Sequence, residues 1–349
     1  MTLCSIFCCV KGSNRRNQGI EESKWRIFSL KELQLATNNF NYDNKIGEGG
    51  FGSVYWGQLW DASQIAVKRL KSWNDKAESE FFVEVEILGR VRHKNLLSLR
   101  GYCSEGQERI IVCDYMTNLS LLSHLHGQHS AEFLLDWNRR MDIAIGVAEG
   151  IAHLHHYATP RIIHGNIKAS NILLDGDFNA KVSEFGFAKL MPDGAISSKG
   201  AVGYLAPEYA SSGKASAACD VYSFGILLLQ LATGKKPLVK LSTTSSLTIV
   251  DWALPLACGR KFNELVDQFL GGNYVEEEWR RVLFIGLVCA YHQIEKRPTM
   301  LEVVELLKGE KEKVAALEND EMFKSIPGAE EDSEFVVFEK VAEEEPAKV

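Results

Sequence analysis

The segment Gly47-Glu48-Gly49-Gly50-Phe51-Gly52-Ser53-Val54 spaces its glycines as G-x-G-x-x-G. Glycines so placed let the backbone approach phosphate oxygens, because no Cβ stands between them. A dinucleotide site has the same pattern, but there the last glycine opens a helix. Here Val54-Tyr55-Trp56-Gly57 continues as a strand, and the next strand, Ile65-Ala66-Val67, delivers Lys68. Glu84 follows in a helical stretch. Further polar clusters come at His164-Gly165-Asn166 with Lys168 and Asn171, at Glu184-Phe185-Gly186, and at Ala206-Pro207-Glu208.

These residues need elements to position them. Residues 1–23 read as a flexible leader and residues 24–42 as a helical extension. In the extension, Ser29 is the expected N-cap, with Glu32 three residues on completing a capping box. Residues 44–72 read as strands; Ala62 takes the glycine place of an Asp-Gly hairpin there, a small local strain. An amphipathic helix over 76–91 shows Phe82, Val85, Leu88 and Val91 on one face. More strands run to Asp114, and helices dominate beyond: Trp137–Leu154, Asp220–Thr233 and Trp279–Val288. The expected fold class is α+β and bilobal, a small β-rich lobe followed by a larger helical one, over residues 43–308. The remainder, 309–349, reads as an acidic, disordered tail.

Composition bounds the function. The chain has 349 residues, 46% hydrophobic and 24% charged, which excludes fibrous and wholly disordered classes. No apolar run reaches the ~18–20 residues of a membrane span, and no secretory signal is apparent. The net charge of −7 is concentrated from Asp320 onward, where ten acids face three lysines, and the body is neutral. Nucleic acid is therefore not an expected partner. Cys103, Cys113, Cys219, Cys258 and Cys289 read as reduced core thiols. Cys4, Cys8 and Cys9 instead crowd among Ile6, Phe7 and Val10, ahead of Lys11, Arg15 and Arg16. That grouping suits S-acylation, since two acyl chains plus basic residues give stable attachment. Thr2 excludes myristoylation. His153, His155 and His156 read as helix-end residues, with no ligand partners at metal spacing.

In order, these motifs resemble the protein-kinase signature. With the leader Phe28-Ser29-Leu30-Lys31-Glu32-Leu33 and Ala36-Thr37-Asn38-Asn39-Phe40, the chain resembles plant receptor-like cytoplasmic kinases over residues 28–308. The resemblance implies ATP in a cradle of Ile46, Gly47, Glu48, Gly49, Gly50, Phe51, Gly52, Ser53, Val54, Ala66, Lys68, Asp114, Met116 and Leu173. It places Asn166, Lys168 and Asn171 in the catalytic loop, with Lys168 resembling the Ser/Thr class. Asn171 and Glu184 fall at the metal positions. Glu84, Glu208, Arg297 and Asp220 become structural ion-pair and anchor residues, and Ser197 and Ser198 candidate phosphorylation sites. It also implies an active kinase or receptor kinase as partner, and residence at the cytoplasmic face of the plasma membrane through acylated Cys4, Cys8 and Cys9.

Two departures bear on catalysis. Asn166 stands where the catalytic Asp is expected, and an amide does not take a proton near neutral pH. General-base help is worth ~10²–10⁴-fold. Glu184 stands where the metal-binding Asp is expected, one methylene longer, and Mg²⁺ demands near-ideal octahedral geometry. The expectation is a pseudokinase adaptor or allosteric partner that binds ATP weakly, with a doubtful Mg²⁺ site. The alternative is a slow but genuine Ser/Thr kinase. Gly165, Ala201 and Cys113 are smaller departures, at the Arg of H-R-D, the Thr before Val202 and the gatekeeper.

Overall fold

The computed structural model describes residues 26–49, 52–71, 75–127, 135–191, 203–240, 246–318 and 320–323. Cys4, Cys8, Cys9, Gly50, Phe51, Ser197, Ser198, Ala201 and the tail beyond 323 lie outside the described residues.

The chain enters as a two-residue strand β1 (Arg26–Ile27), then helix α1 (Leu30–Ala36). Strands β2 (Lys45–Gly49), β3 (Gly52–Gln58) and β4 (Gln64–Leu70) precede helix α2 (Asp75–Arg90), and β5 (Leu99–Glu105) and β6 (Glu108–Asp114) follow it. The six strands form one sheet in the order β1-β5-β6-β4-β3-β2, antiparallel except where β1 lies parallel to β5. Alternation sorts the side chains between two faces. Ile65, Val67, Ile110 and Val112 pack with Phe28 and Leu33 under α1, all buried. Ile111 and Cys113 face the other way, with Phe81 and Leu88 of α2.

The helical expectation for 24–42 is therefore corrected in its extent. Ser29 does cap α1, its oxygen accepting from the Glu32 N–H at 3.2 Å, but the Glu32 carboxylate turns to Arg26 instead of closing the box. Arg26 and Ile27 leave the helix because β5 offers them a ladder. Asn38, Asn39 and Phe40 end it in the left-handed region, with φ of 52°, 56° and 53°. Ala62 takes φ 63° at the β3–β4 turn, the strained geometry its sequence context implied.

The second lobe is helical: α3 (Leu121–His126), α4 (Trp137–Ala152), α5 (Pro207–Ser212), α6 (Ala217–Thr233), α7 (Ile249–Cys258), α8 (Phe262–Leu265), α9 (Glu276–Cys289), α10 (Met300–Leu307) and α11 (Lys311–Glu318). Short strand pairs link them: β7 (Ile162–Ile163) with β10 (Lys189–Leu190), β8 (Ile172–Leu174) with β9 (Ala180–Val182), and β11 (Leu238–Lys240) with β12 (Ser246–Thr248). Helix α6 is buried almost all round, as a helix apolar on every side must be. It crosses α9 where Gly225 meets Gly286; a Cβ on Gly225 would lie 2.7 Å from the Gly286 carbonyl oxygen. Helix α4 runs into a π-helical turn over His153–Tyr157, which carries His155 into the interior. Among the described residues, no helix is long and apolar enough to cross a membrane.

Candidate active site

Lys68 is the centre of the site. With Ile65 and Val67 under α1, the pleat turns Ala66 and Lys68 towards α2. Lys68 Nζ donates to Glu84 Oε2 at 2.8 Å, and to Glu184 Oε1 and Oε2 at 2.9 and 3.0 Å. Burial opposes the lysine's charge, but Glu84 and then Glu184 outweigh it and drive its pKa up. Burial raises the Glu84 carboxyl, with Lys68 pulling the other way. The pairing expected for Glu84 is present, and Glu184 joins it.

Glu184 reaches Lys68 because of its backbone. It adopts φ 67° and ψ 66°, which a non-glycine residue takes only when its surroundings hold it there. The next residue, Phe185, is fully buried with its ring 4.8 Å from that of His164. His164 Nδ1 accepts from the Asn166 N–H at 3.2 Å, so Nε2 carries the proton and donates to the Ser183 carbonyl at 3.0 Å. Burial lowers the His164 pKa, in keeping with that neutral tautomer. Asn171 Nδ2 donates to the Asn166 carbonyl at 2.8 Å, while its own carbonyl accepts from Ser183 N and Oγ at 2.9 Å. Asn166, Asn171 and His164 thus belong to one hydrogen-bonded frame with Ser183, the residue that precedes Glu184.

Asp220 supports it from α6. Its carboxylate accepts from the N–H groups of His164 and Gly165 and from His155 Nε2, each at 2.8 Å. Burial opposes its charge, yet these donors hold its pKa below the ordinary carboxylate value. Gly165, where an arginine was expected, takes φ 73°, a conformation glycine adopts freely. Sequence reading placed Asp220 but missed His155, whose part depends on the π-helical turn.

The phosphate loop divides by role. A Cβ on Gly49 would meet nothing within 4 Å, and one on Gly47 only Val54 at 3.8 Å, so both leave room for phosphates. At Gly52 a Cβ would lie 2.2 Å from the Arg69 carbonyl oxygen, so this glycine permits close pairing of β3 with β4. Glu48 is held by Lys45 and Lys71, whose hydrogen bonds bring its pKa down to about 2. Ser53 is buried, and Val54 pairs with Lys68 in the ladder. Ile46 is 40% exposed, available to a ligand.

Ala66 pairs with Cys113, whose thiol burial pushes up in pKa and keeps protonated. The Asp114 carboxylate is taken by Arg100, so only its backbone can serve a nucleotide. Met116 and Leu173 both pack against the main core. Lys168 lies beyond the frame, beside Ser170 and Tyr204. Glu208 and Arg297 form a two-bond ion pair at 2.7 and 2.9 Å, and Arg297 also donates to the Tyr291 and Ala218 carbonyls.

The family's cofactors, ATP and Mg²⁺, fit these residues unequally. Open glycines and a cationic Lys68 suit a polyphosphate. For Mg²⁺, both Glu184 oxygens are on Lys68 and Asn171 offers one amide oxygen. Among the described residues, no three His, Cys, Asp or Glu side chains converge as a metal site.

Comparison with known proteins agrees with this geometry. Residues 40–307 match the family model of protein tyrosine and serine/threonine kinases. The chain is 57% identical over 343 residues to a PTI1-like tyrosine-protein kinase of Arabidopsis thaliana, covering 97% of this chain and 94% of that one. It is 42% identical over 301 residues to the proline-rich receptor-like protein kinase PERK8 of the same plant, covering 83% of this chain and 44% of that one. The chain thus spans less than half the length of that receptor-like relative. Lys68 paired with Glu84, the Asp220-anchored loop and the Glu208–Arg297 pair are kinase architecture, and the chain belongs to the protein kinase family, in its plant receptor-like branch.

Proposed function

We propose that this chain is a pseudokinase: a membrane-attached, kinase-fold signalling protein that binds ATP weakly and acts by binding an active kinase or receptor kinase. The observation that carries the reading is the double engagement of Glu184 by Lys68, beside an asparagine at residue 166. The open Gly47 and Gly49 and the Lys68–Glu84 pair support nucleotide binding, while the two residues that would move a proton and hold a metal differ from those of active kinases.

The size of the deficit follows. Loss of a general base costs ~10²–10⁴-fold, and a misplacement of ~1 Å costs ~10². Groups acting as a unit are less than additive, so the lower combined figure, ~10⁴, applies. From a typical ~1–100 s⁻¹, at most ~10⁻² s⁻¹ remains. ATP is expected in the high micromolar range, about −5 to −6 kcal/mol, with little enhancement by Mg²⁺.

A second reading, a slow Ser/Thr kinase, is favoured by the intact Lys68–Glu84 pair and by the kinase names of the relatives, one a tyrosine-protein kinase and another a receptor-like serine/threonine-protein kinase. Calorimetry with and without Mg²⁺, beside radiolabelled phosphate transfer, separates the two. Weak binding indifferent to Mg²⁺, reduced by Lys68→Ala, supports the pseudokinase. Tight Mg²⁺-dependent binding, or wild-type transfer abolished by Lys68→Ala, supports the slow kinase.

For location, we propose that Cys4, Cys8 and Cys9 are S-acylated and hold the chain at the cytoplasmic face of the plasma membrane. The basic residues beside them support this.

A further inference from the structure

A pocket of about 470 Å³ opens between α3, the loop carrying Lys168 and Ser170, Tyr204, and the Lys236–Pro237 segment after α6. Among the described residues, none that lines it is acidic. Several other lysines of the fold are neutralised: Lys45 and Lys71 by Glu48, Lys68 by Glu84 and Glu184, Lys94 and Lys308 by Glu149. Lys168 and Lys236 have no carboxylate partner among the described residues. Two uncompensated cations therefore face one concavity.

The floor is fixed and uncharged. Tyr204 Oη donates to Gln230 Oε1, which leaves the Gln230 amide nitrogen to donate to His126 Nε2 at 3.2 Å. The Tyr204 oxygen also accepts from the Ala169 N–H at 3.3 Å. These groups are satisfied among themselves and need nothing from a ligand. The wall is apolar, with Leu122 39% exposed and Pro237 beside it. The volume lies in the range of organic ligand sites, well beyond what a bare phosphate fills. Apolar wall, two cations and neutral floor together suit an acidic side chain with a hydrophobic one beside it. Lys168 is two residues from Asn166, so the pocket adjoins the cleft where a kinase-fold protein meets another chain.

We propose that this pocket is a docking subsite for an acidic peptide segment of a protein partner, its carboxylate held by Lys168 and Lys236 and its apolar neighbour by Leu122 and Pro237. This deepens the reading of the chain as a protein that acts by binding. It is measured without phosphate transfer, so its failure and that of the pseudokinase reading are separable.

The test is fluorescence anisotropy on the full chain with a labelled peptide alternating glutamate and leucine. Its glutamine-leucine and lysine-leucine counterparts serve as controls. The glutamate peptide should bind about tenfold tighter than the glutamine one, and the preference should shrink as salt rises. Lys236→Glu should abolish the preference, Lys236→Arg should keep it, and ATP binding should be the same in both variants. Equal binding of the three peptides, or an unchanged preference in Lys236→Glu, overturns the proposal. So does Lys236-dependent stabilisation by inorganic phosphate without peptide discrimination, which would make the pocket a small-anion site.

Discussion

Asn171 holds Asn166 by its backbone: the Asn171 amide nitrogen donates to the Asn166 carbonyl at 2.8 Å, leaving the Asn166 side chain outside that bond. That bond therefore does not depend on which side chain residue 166 carries. Asn166→Asp changes the chemistry and keeps the frame. Together with Glu184→Asp it should raise phosphate transfer by at least ~10²-fold, and up to ~10⁴. Radiolabelled transfer to a generic acceptor, wild type against double variant, reads this directly. Equal rates would show that the deficit lies elsewhere.

The Glu208–Arg297 pair should give stability a pH dependence. Burial alone would raise the Glu208 carboxyl, but the Arg297 guanidinium holds it below the ordinary 4.5. A depressed folded-state value contributes stability above about pH 4.5, lost as pH falls through the folded value. Arg297 has no exposed side-chain surface, so Glu208→Gln strands a buried cation, at about 3 kcal/mol near neutral pH. Melting curves should show wild type and variant farthest apart at pH 7 and converging below pH 4.5. A gap constant across that range would contradict the assignment.

Gly225→Ala tests the crossing of α6 and α9. The added Cβ would also stand 2.8 Å from Cys289 Cβ, and both helices are too buried to part without disturbing their neighbours. Overpacking of this kind costs about 1–3 kcal/mol. Chemical denaturation should show the midpoint falling with little change in slope.

The three-cysteine proposal has a cellular readout. Replacing Cys4, Cys8 and Cys9 together with serine should move a tagged protein from the membrane to the soluble fraction. Single replacements should leave it in the membrane fraction, since two remaining chains still suffice for attachment. A triple variant that stays in the membrane fraction would refute the acyl anchor.

Much of the site was legible because residue type alone announced it. Glycines at fixed spacing, a strand lysine, a helix glutamate, and the Asp220 and Arg297 anchors are local signals, and the structure assembles them. What escaped depends on backbone. The β1 strand is two residues long, too short for any alternation to show. The part of His155 follows from a change in helical pitch at His153. Gly52 matches the phosphate pattern, but its neighbours show that β-pairing requires it. That Glu184 would pair with Lys68 could not be read from a longer carboxylate alone, because the left-handed turn at that residue decides its direction.

That turn has a consequence for affinity. With its two oxygens on Lys68, Glu184 is a resident anion, covalently tethered and therefore always present, at the place where a nucleotide's phosphates must bind. Any incoming nucleotide competes with it by mass action, however well the glycines fit. Apparent affinity scales with the fraction of time the lysine is free: a contact held 99% of the time weakens binding ~100-fold. Under the pseudokinase reading proposed above, the residue at the metal-binding position would act as an internal competitor for Lys68, while the glycines around it stay open.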